Sequence, residues 1–115
     1  MTLEDFLAFL EEDSKREKIF VVNPQRQIEF ARAYRTLERL INDEDDNINA
    51  RIWCEMGELI NGYAAIKVEA DRIVVREIDK FYAAVKAANN FEIYPTTDGT
   101  VRLNITFHGV RTRIK

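Results

Sequence analysis

Cysteine, histidine and serine each occur once in this 115-residue chain, as Cys54, His108 and Ser14. A lone cysteine makes no internal disulfide, which suits a reducing compartment and gives the expectation of a cytoplasmic protein. One cysteine with one histidine excludes zinc sites of the usual cysteine–histidine composition. The only serine, Ser14, lies in the charged tail of the first helix, so a serine triad is not expected. The chain has 4 glycines, none in a loop pattern that cradles phosphate. Long apolar runs are missing too. Ile19-Phe20-Val21-Val22 falls far short of the roughly 20 residues that span a bilayer, and the opening MTLEDF lacks the basic and apolar regions of a secretory signal. There is no internal repeat, low-complexity tract or flexible linker.

What is present describes an ordinary globule: 46% hydrophobic and 32% charged residues, net charge −3 and a pI near 5.2. One α+β domain over residues 1–115 is expected, with a helical N-terminal part over about 1–46 and a sheet-rich part over about 48–115. Thr2 with Asp5 resembles a capping box, and Leu3, Phe6, Leu7 and Leu10 recur at helical spacing. This predicts a first helix from Leu3 to about Arg16. Residues 19–22 form a short strand or apolar strap. Asn23-Pro24 then opens a second helix reaching about Asn42, because Asn accepts free helix N–H groups and Pro at the first position has none to lose. Phe30, Ala33, Tyr34, Leu37, Leu40 and Ile41 make its apolar stripe; Arg32, Arg35 and Arg39 line another face.

The longest alternation of apolar and polar residues runs from Arg51 to Ile78 and predicts half-buried antiparallel strands. Asn61-Gly62 carries the signature of a two-residue type I′ turn. Such a turn pairs Leu59 with Ala64 and leaves Ile52 and Cys54 on the wrong face, unless Gly57 supplies a β-bulge or strand break. Ile73, Val74 and Val75 read as a further strand of open register. Asp79 is the expected N-cap of a third helix, with Phe81, Ala84, Val85 and Ala88 facing the core, and Asn89-Asn90 suits its end. A closing hairpin joins Phe91–Thr96 to Thr100–His108. A two-residue Asp98-Gly99 loop would mix its faces. A three-residue Thr97-Asp98-Gly99 loop sets Ile93 opposite Leu103 and Phe91 opposite Ile105, with Gly99 at the left-handed position. Pro95 pushes the first of these strands to a sheet edge. The order is therefore α-α-β-β-β-α-β-β, with helices on one face of a mainly antiparallel sheet of about five strands.

No constellation points to catalysis, a cofactor or a metal. Cys54, in a strand, reads as a small buried hydrophobe, and His108 as a solvated surface residue. Asp43-x-Asp45-x-Asn47 imitates the start of a calcium loop, but Ile48 stands where Gly is needed and Cys54 where a bidentate Glu belongs. Glu55, Glu58, Glu69, Asp71, Glu77 and Asp79 are scattered beside Arg or Lys as expected of cross-strand ion pairs. Asn104-Ile105-Thr106 is a glycosylation sequon without a secretion signal.

The charge pattern says more. Residues 43–46 are Asp, Glu, Asp and Asp, while residues 100–115 carry Arg102, Arg111, Arg113 and Lys115 and no acid. The leading expectation is a non-catalytic protein-binding module, a small regulator or stoichiometric inhibitor of bacterial, phage or mobile-element type that recognises its partner by charge complementarity. The partner could itself be a nucleic-acid-handling protein. Asp43, Glu44, Asp45 and Asp46, with Arg35, Trp53 and Tyr94 as anchors, are the candidate contacts. The alternative is a nucleic-acid site built from Arg32, Arg35, Arg39, Tyr94, Arg102, Arg111, Arg113 and Lys115, and the second alternative a structural homodimer.

Overall fold

The first helix is set by its cap. In the computed structural model, which describes residues 1–15, 20–41, 49–57 and 62–113, the Thr2 hydroxyl accepts the Asp5 N–H at 3.1 Å. Helix α1 follows over Leu3–Lys15, burying Leu3, Phe6 and Leu10 at one helical stripe. Helix α2 spans Pro24–Ile41, and the Asn23 side-chain oxygen accepts the N–H groups of Gln25 and Arg26 at 3.0 and 3.2 Å. These are the orphan donors that an N-cap satisfies. Between the helices lies β1, Phe20–Val22.

The remaining elements are β2 (Arg51–Met56), β3 (Ala64–Ala70), α3 (Ile78–Val85), β4 (Asn90–Pro95), β5 (Val101–Phe107) and β6 (Arg111–Arg113). Among the described residues, the fold is α+β, with three helices and six strands in two antiparallel sheets. Four strands are joined in the order β2-β3-β5-β4, and β1 pairs with β6 as a separate ribbon. The main sheet thus has four strands, not five. The run 73–75 takes no strand conformation, and β3 before it is paired with β2 on one side and β5 on the other. Ile73 and Val75 pack against the core from a loop instead.

The β2–β3 connection differs from the two-residue turn expected at Asn61-Gly62. Met56 faces Ala64 and Cys54 faces Ile66, so the connection covers 57–63, of which residues 58–61 lie outside the described ones. This longer connection puts Ile52, Cys54 and Met56 on one face with Ala64, Ile66 and Val68, without a bulge. Gly57 stands at the end of β2 for a steric reason: a side chain there would run into the ring of Tyr63. Gly62 is held likewise against the Arg111 carbonyl oxygen.

The closing hairpin has the expected register. Ile93 faces Leu103, Phe91 faces Ile105, and Thr96 N–H donates to Thr100 across the three-residue loop at 2.9 Å. Gly99 has φ 88°, and the Asp98 carboxylate accepts the Thr100 hydroxyl at 2.9 Å and that of Thr96. Those bonds, the one from Thr96 foremost, hold its pKa below the usual carboxylate range. β4 is an edge strand, and Pro95 is its last residue.

α3 begins two residues earlier than expected. Glu77, not Asp79, occupies the N-cap and makes no side-chain cap bond; its carboxylate instead pairs with Lys80 Nζ at 2.7 Å. The helix ends at Val85 with Lys86 in right-handed conformation. Asn89 is therefore not a left-handed cap: its N–H donates to the Thr106 carbonyl at 2.8 Å and leads the chain into β4.

Buried residues of α1, α2 and α3 and the inward positions of β2, β3 and β5 form one cluster. Phe30 is its centre, stacked on Phe6 at 4.5 Å between centroids and edge-on to Phe107 at 5.4 Å.

Candidate protein-binding surface

Of the described large apolar side chains that remain exposed, five lie on α3 and β4, one of them, Tyr94, on the outer sheet face. β4 is exposed along its length. Its Phe91 and Ile93, which the alternation assigned to the core face, are 41% and 58% accessible. On α3, Ile78 and Tyr82 are 62% and 66% accessible. The two elements meet where the buried Phe81 ring of α3 touches the Phe91 ring edge-on at 5.8 Å. A helix of 8 residues is only about 12 Å long, so α3 anchors β4 through one aromatic contact and leaves the rest of its inner face uncovered.

The outer sheet face is polar and internally paired. Cross-strand rows place Arg51, Glu69, Arg102 and Tyr94 side by side, then Trp53, Lys67, Asn104 and Glu92. Glu69 accepts from Arg51 at 2.9 Å and from Arg102, and these two guanidiniums, Arg102 foremost, hold its carboxyl below the usual range. Lys67 lies 3.7 Å from Glu55. The Trp53 ring, half-buried, is flanked by the Arg51 and Arg102 guanidiniums at 5.4 and 5.8 Å and donates its indole N–H to Glu55 at 3.1 Å. Tyr94 accepts from Asn104 at 3.2 Å. Each cation of this face has an acidic partner, so it offers little net attraction to phosphate.

The expected site residues are dispersed. Trp53, Tyr94 and Arg102 share the outer sheet face. Arg32, Arg35 and Arg39 are exposed on the side of α2 that points away from the sheet, so they lie across the molecule from Tyr94. There Arg32 and Arg35 border a shallow groove of about 440 Å³ floored by Leu7, Ile28 and Ala31. Arg111 is no surface contact: it is 4% accessible, with its guanidinium 4.0 Å from the Phe20 ring centre and 5.1 Å from that of Phe9. Arg113 is exposed on β6. Asp43, Glu44, Asp45, Asp46 and Lys115 lie outside the described residues. The nucleic-acid set is therefore not one surface.

Ile78, Tyr82, Phe91 and Ile93 were legible only in part. In IDKFYAAV the apolar residues occupy two sides of the helix, one more than a single core needs. That excess was the available signal.

Cys54 is buried as a free thiol, and burial pushes its pKa up to about 12. Tyr34, whose hydroxyl donates to the Ile52 carbonyl at 3.4 Å, is likewise pushed up to about 12, mainly by burial. Neither suits nucleophilic chemistry at neutral pH. Both shifts do predict a pH dependence. The unfolded chain loses these protons near the ordinary values of 9.0 and 10.0, while the folded chain keeps them to about 12. Their contribution is whole below pH 9 and is lost as pH rises through 12. Urea midpoints are expected to fall between about pH 9 and 12, and to fall less steeply in Cys54→Ala; equal slopes would assign the loss to other groups.

His108 is exposed just beyond β5. Among the described residues no group of three His, Cys, Asp or Glu is placed to hold a metal ion, and no helix is long and apolar enough to cross a membrane. Comparison with protein-family models, with curated proteins and with solved structures finds no match.

Proposed function

We propose that the chain is a non-catalytic protein-binding module, a small cytoplasmic regulator acting by stoichiometric association. The carrying observation is the exposure of Ile78, Tyr82, Phe91 and Ile93 on two elements that touch through Phe81 and Phe91. Contiguous exposed apolar patches of a few hundred Å² on otherwise charged small domains mark interaction sites. Aromatic anchors within them carry a large share of binding energy, which gives Tyr82 and Phe91 the leading roles. Charge recognition through Asp43–Asp46 would then speed encounter more than deepen affinity.

Affinity capture from the protein's native cells tests this reading. The specific partner is expected to be lost, through binding about 30-fold weaker, when Tyr82 or Ile93 is replaced by alanine. Arg35→Ala, on the far side, is expected to keep it. A partner retained by both patch variants and lost by Arg35→Ala would move the site to the α1–α2 groove and overturn the assignment.

A further inference from the structure

The two edges of the main sheet are not equivalent. On β2, Cys54 exchanges both backbone hydrogen bonds with Met1, at 2.7 and 2.9 Å, so the centre of that edge is occupied. β4 has no such cover, and its backbone shows what can join it. Because Thr96 N–H donates to Thr100, antiparallel alternation turns the backbone groups of Tyr94, Glu92 and Asn90 toward β5, and those of Pro95, Ile93 and Phe91 outward. Pro95 has no N–H, and the Phe91 N–H is taken by the Asn90 side chain at 3.0 Å. Of the described β4 residues, Ile93 alone presents both a free donor and a free acceptor.

We infer that a second copy of this chain pairs on the β4 edge, antiparallel and with its two-fold axis at Ile93, so that the two Ile93 residues exchange N–H and C=O and the main sheets join. This inference rests on the binding surface proposed above and names its occupant.

The hydrogen-bonding groups select the register. A two-fold at Phe91 or Glu92 needs the Phe91 N–H, already engaged, and one at Glu92 also sets two like charges directly opposite. A two-fold at Tyr94 or Pro95 needs an N–H that proline lacks. At Ile93 the pair on the axis is complete; on either side of it Phe91 of one copy faces Pro95 of the other with no backbone bond between them, and Glu92 of each copy faces the Tyr94 of the other, where a phenol can donate to a carboxylate. The contact is isologous and closes on itself, which is how an open edge avoids running on into a filament.

The apolar area also suits a pair. Phe91 and Ile93 are on the helix side of the sheet, above α3, so the same axis brings the two copies of Ile78, Tyr82, Phe91 and Ile93 together beneath the joined edge. With side chains of roughly 200 Å² each, their accessible fractions amount to about 450 Å² of apolar surface per copy. Apolar atoms make up about 60% of an interface. The whole contact is then about 750 Å² per copy, close to the roughly 800 Å² of a stable specific complex.

Sedimentation equilibrium of the full chain, from about 1 to 200 µM, tests the pairing. A dimer is expected, with Ile93→Lys raising its dissociation constant by about 100-fold or more, since two lysines would meet on the axis. Ile93→Pro should also dissociate it while far-ultraviolet circular dichroism stays unchanged, because the deleted N–H faces away from β5. Ile93→Cys reads the register: the two Cα atoms would be about 5.5 Å apart, within disulfide range. Mild oxidation is expected to give a disulfide-linked dimer, while buried Cys54 stays inert. A wild-type chain that remains monomeric at 200 µM, or a dimer that both Ile93→Lys and Ile93→Pro leave intact, overturns the inference. If the monomeric chain still captures another protein through Tyr82 and Ile93, the second copy falls and the binding surface stands. If capture is also indifferent to those residues, both fall.

Discussion

Replacing Phe30 with alanine is expected to destabilise the fold by about 3–5 kcal/mol, read as the shift of the urea unfolding midpoint at constant slope. Phe30 has no accessible surface and holds two aromatic contacts at once, stacked on Phe6 of α1 and edge-on to Phe107 of β5. Its removal leaves a cavity bounded by three elements. Neighbouring side chains cannot all close in, because each is fixed by its own strand or helix, so the cost adds lost contacts to lost burial. A domain of this size has only about 5–15 kcal/mol of net stability, and the variant is expected to be marginal at 37 °C. Phe30→Leu, which keeps most of the volume, should lose less than half as much. A loss below about 1 kcal/mol for Phe30→Ala would show that α1 is not cooperatively packed on the sheet.

Arg26→Ala is expected to cost about 2–4 kcal/mol, the second largest effect, although a surface arginine on a helix normally contributes little. Arg26 is not free on the surface: its side chain is 19% accessible. It donates to the His108 carbonyl at 3.0 Å, to the Ala87 carbonyl at 2.8 Å, to Glu29 at 2.6 Å and to the Asn89 side chain, with its guanidinium 5.1 Å from the Phe107 ring centre. One guanidinium thus ties the start of α2 to the α3–β4 connection and to the end of β5. Truncation leaves those two carbonyls without this donor and the Glu29 carboxylate without the cation that holds its pKa low. Arg26→Lys should recover less than half of the loss, since an ammonium cannot reproduce the planar fork. Full recovery by lysine would mean that charge alone matters at this position.

The two cases fall on different sides of what a sequence can convey. Phe30 was readable: it belongs to a stripe repeated every three to four residues behind an Asn-Pro cap, and periodicity of that kind reports which side of a helix is apolar. The same local logic fixed the Thr97–Gly99 loop, because only a three-residue connection keeps Ile93 and Phe91 on the face of Leu103 and Ile105. Arg26 was not readable as a clamp. Its partners Ala87, Asn89 and His108 lie 61, 63 and 82 residues away, and no local pattern announces a contact made across that distance.

By itself, then, the sequence determined the caps of α1 and α2, the apolar stripes and the closing hairpin, since each follows from interactions between residues near in the chain. Tertiary structure decided everything that depends on neighbours. It kept 73–75 out of the sheet and placed β5 beside β3 instead. It buried Arg111 between aromatic rings and divided the candidate basic residues between two faces. It also made a surface of Phe91 and Ile93. Alternation correctly placed both on the inner side of the sheet, but whether an inner side is covered depends on the length and position of the helix beneath it, and α3 reaches β4 with a single ring.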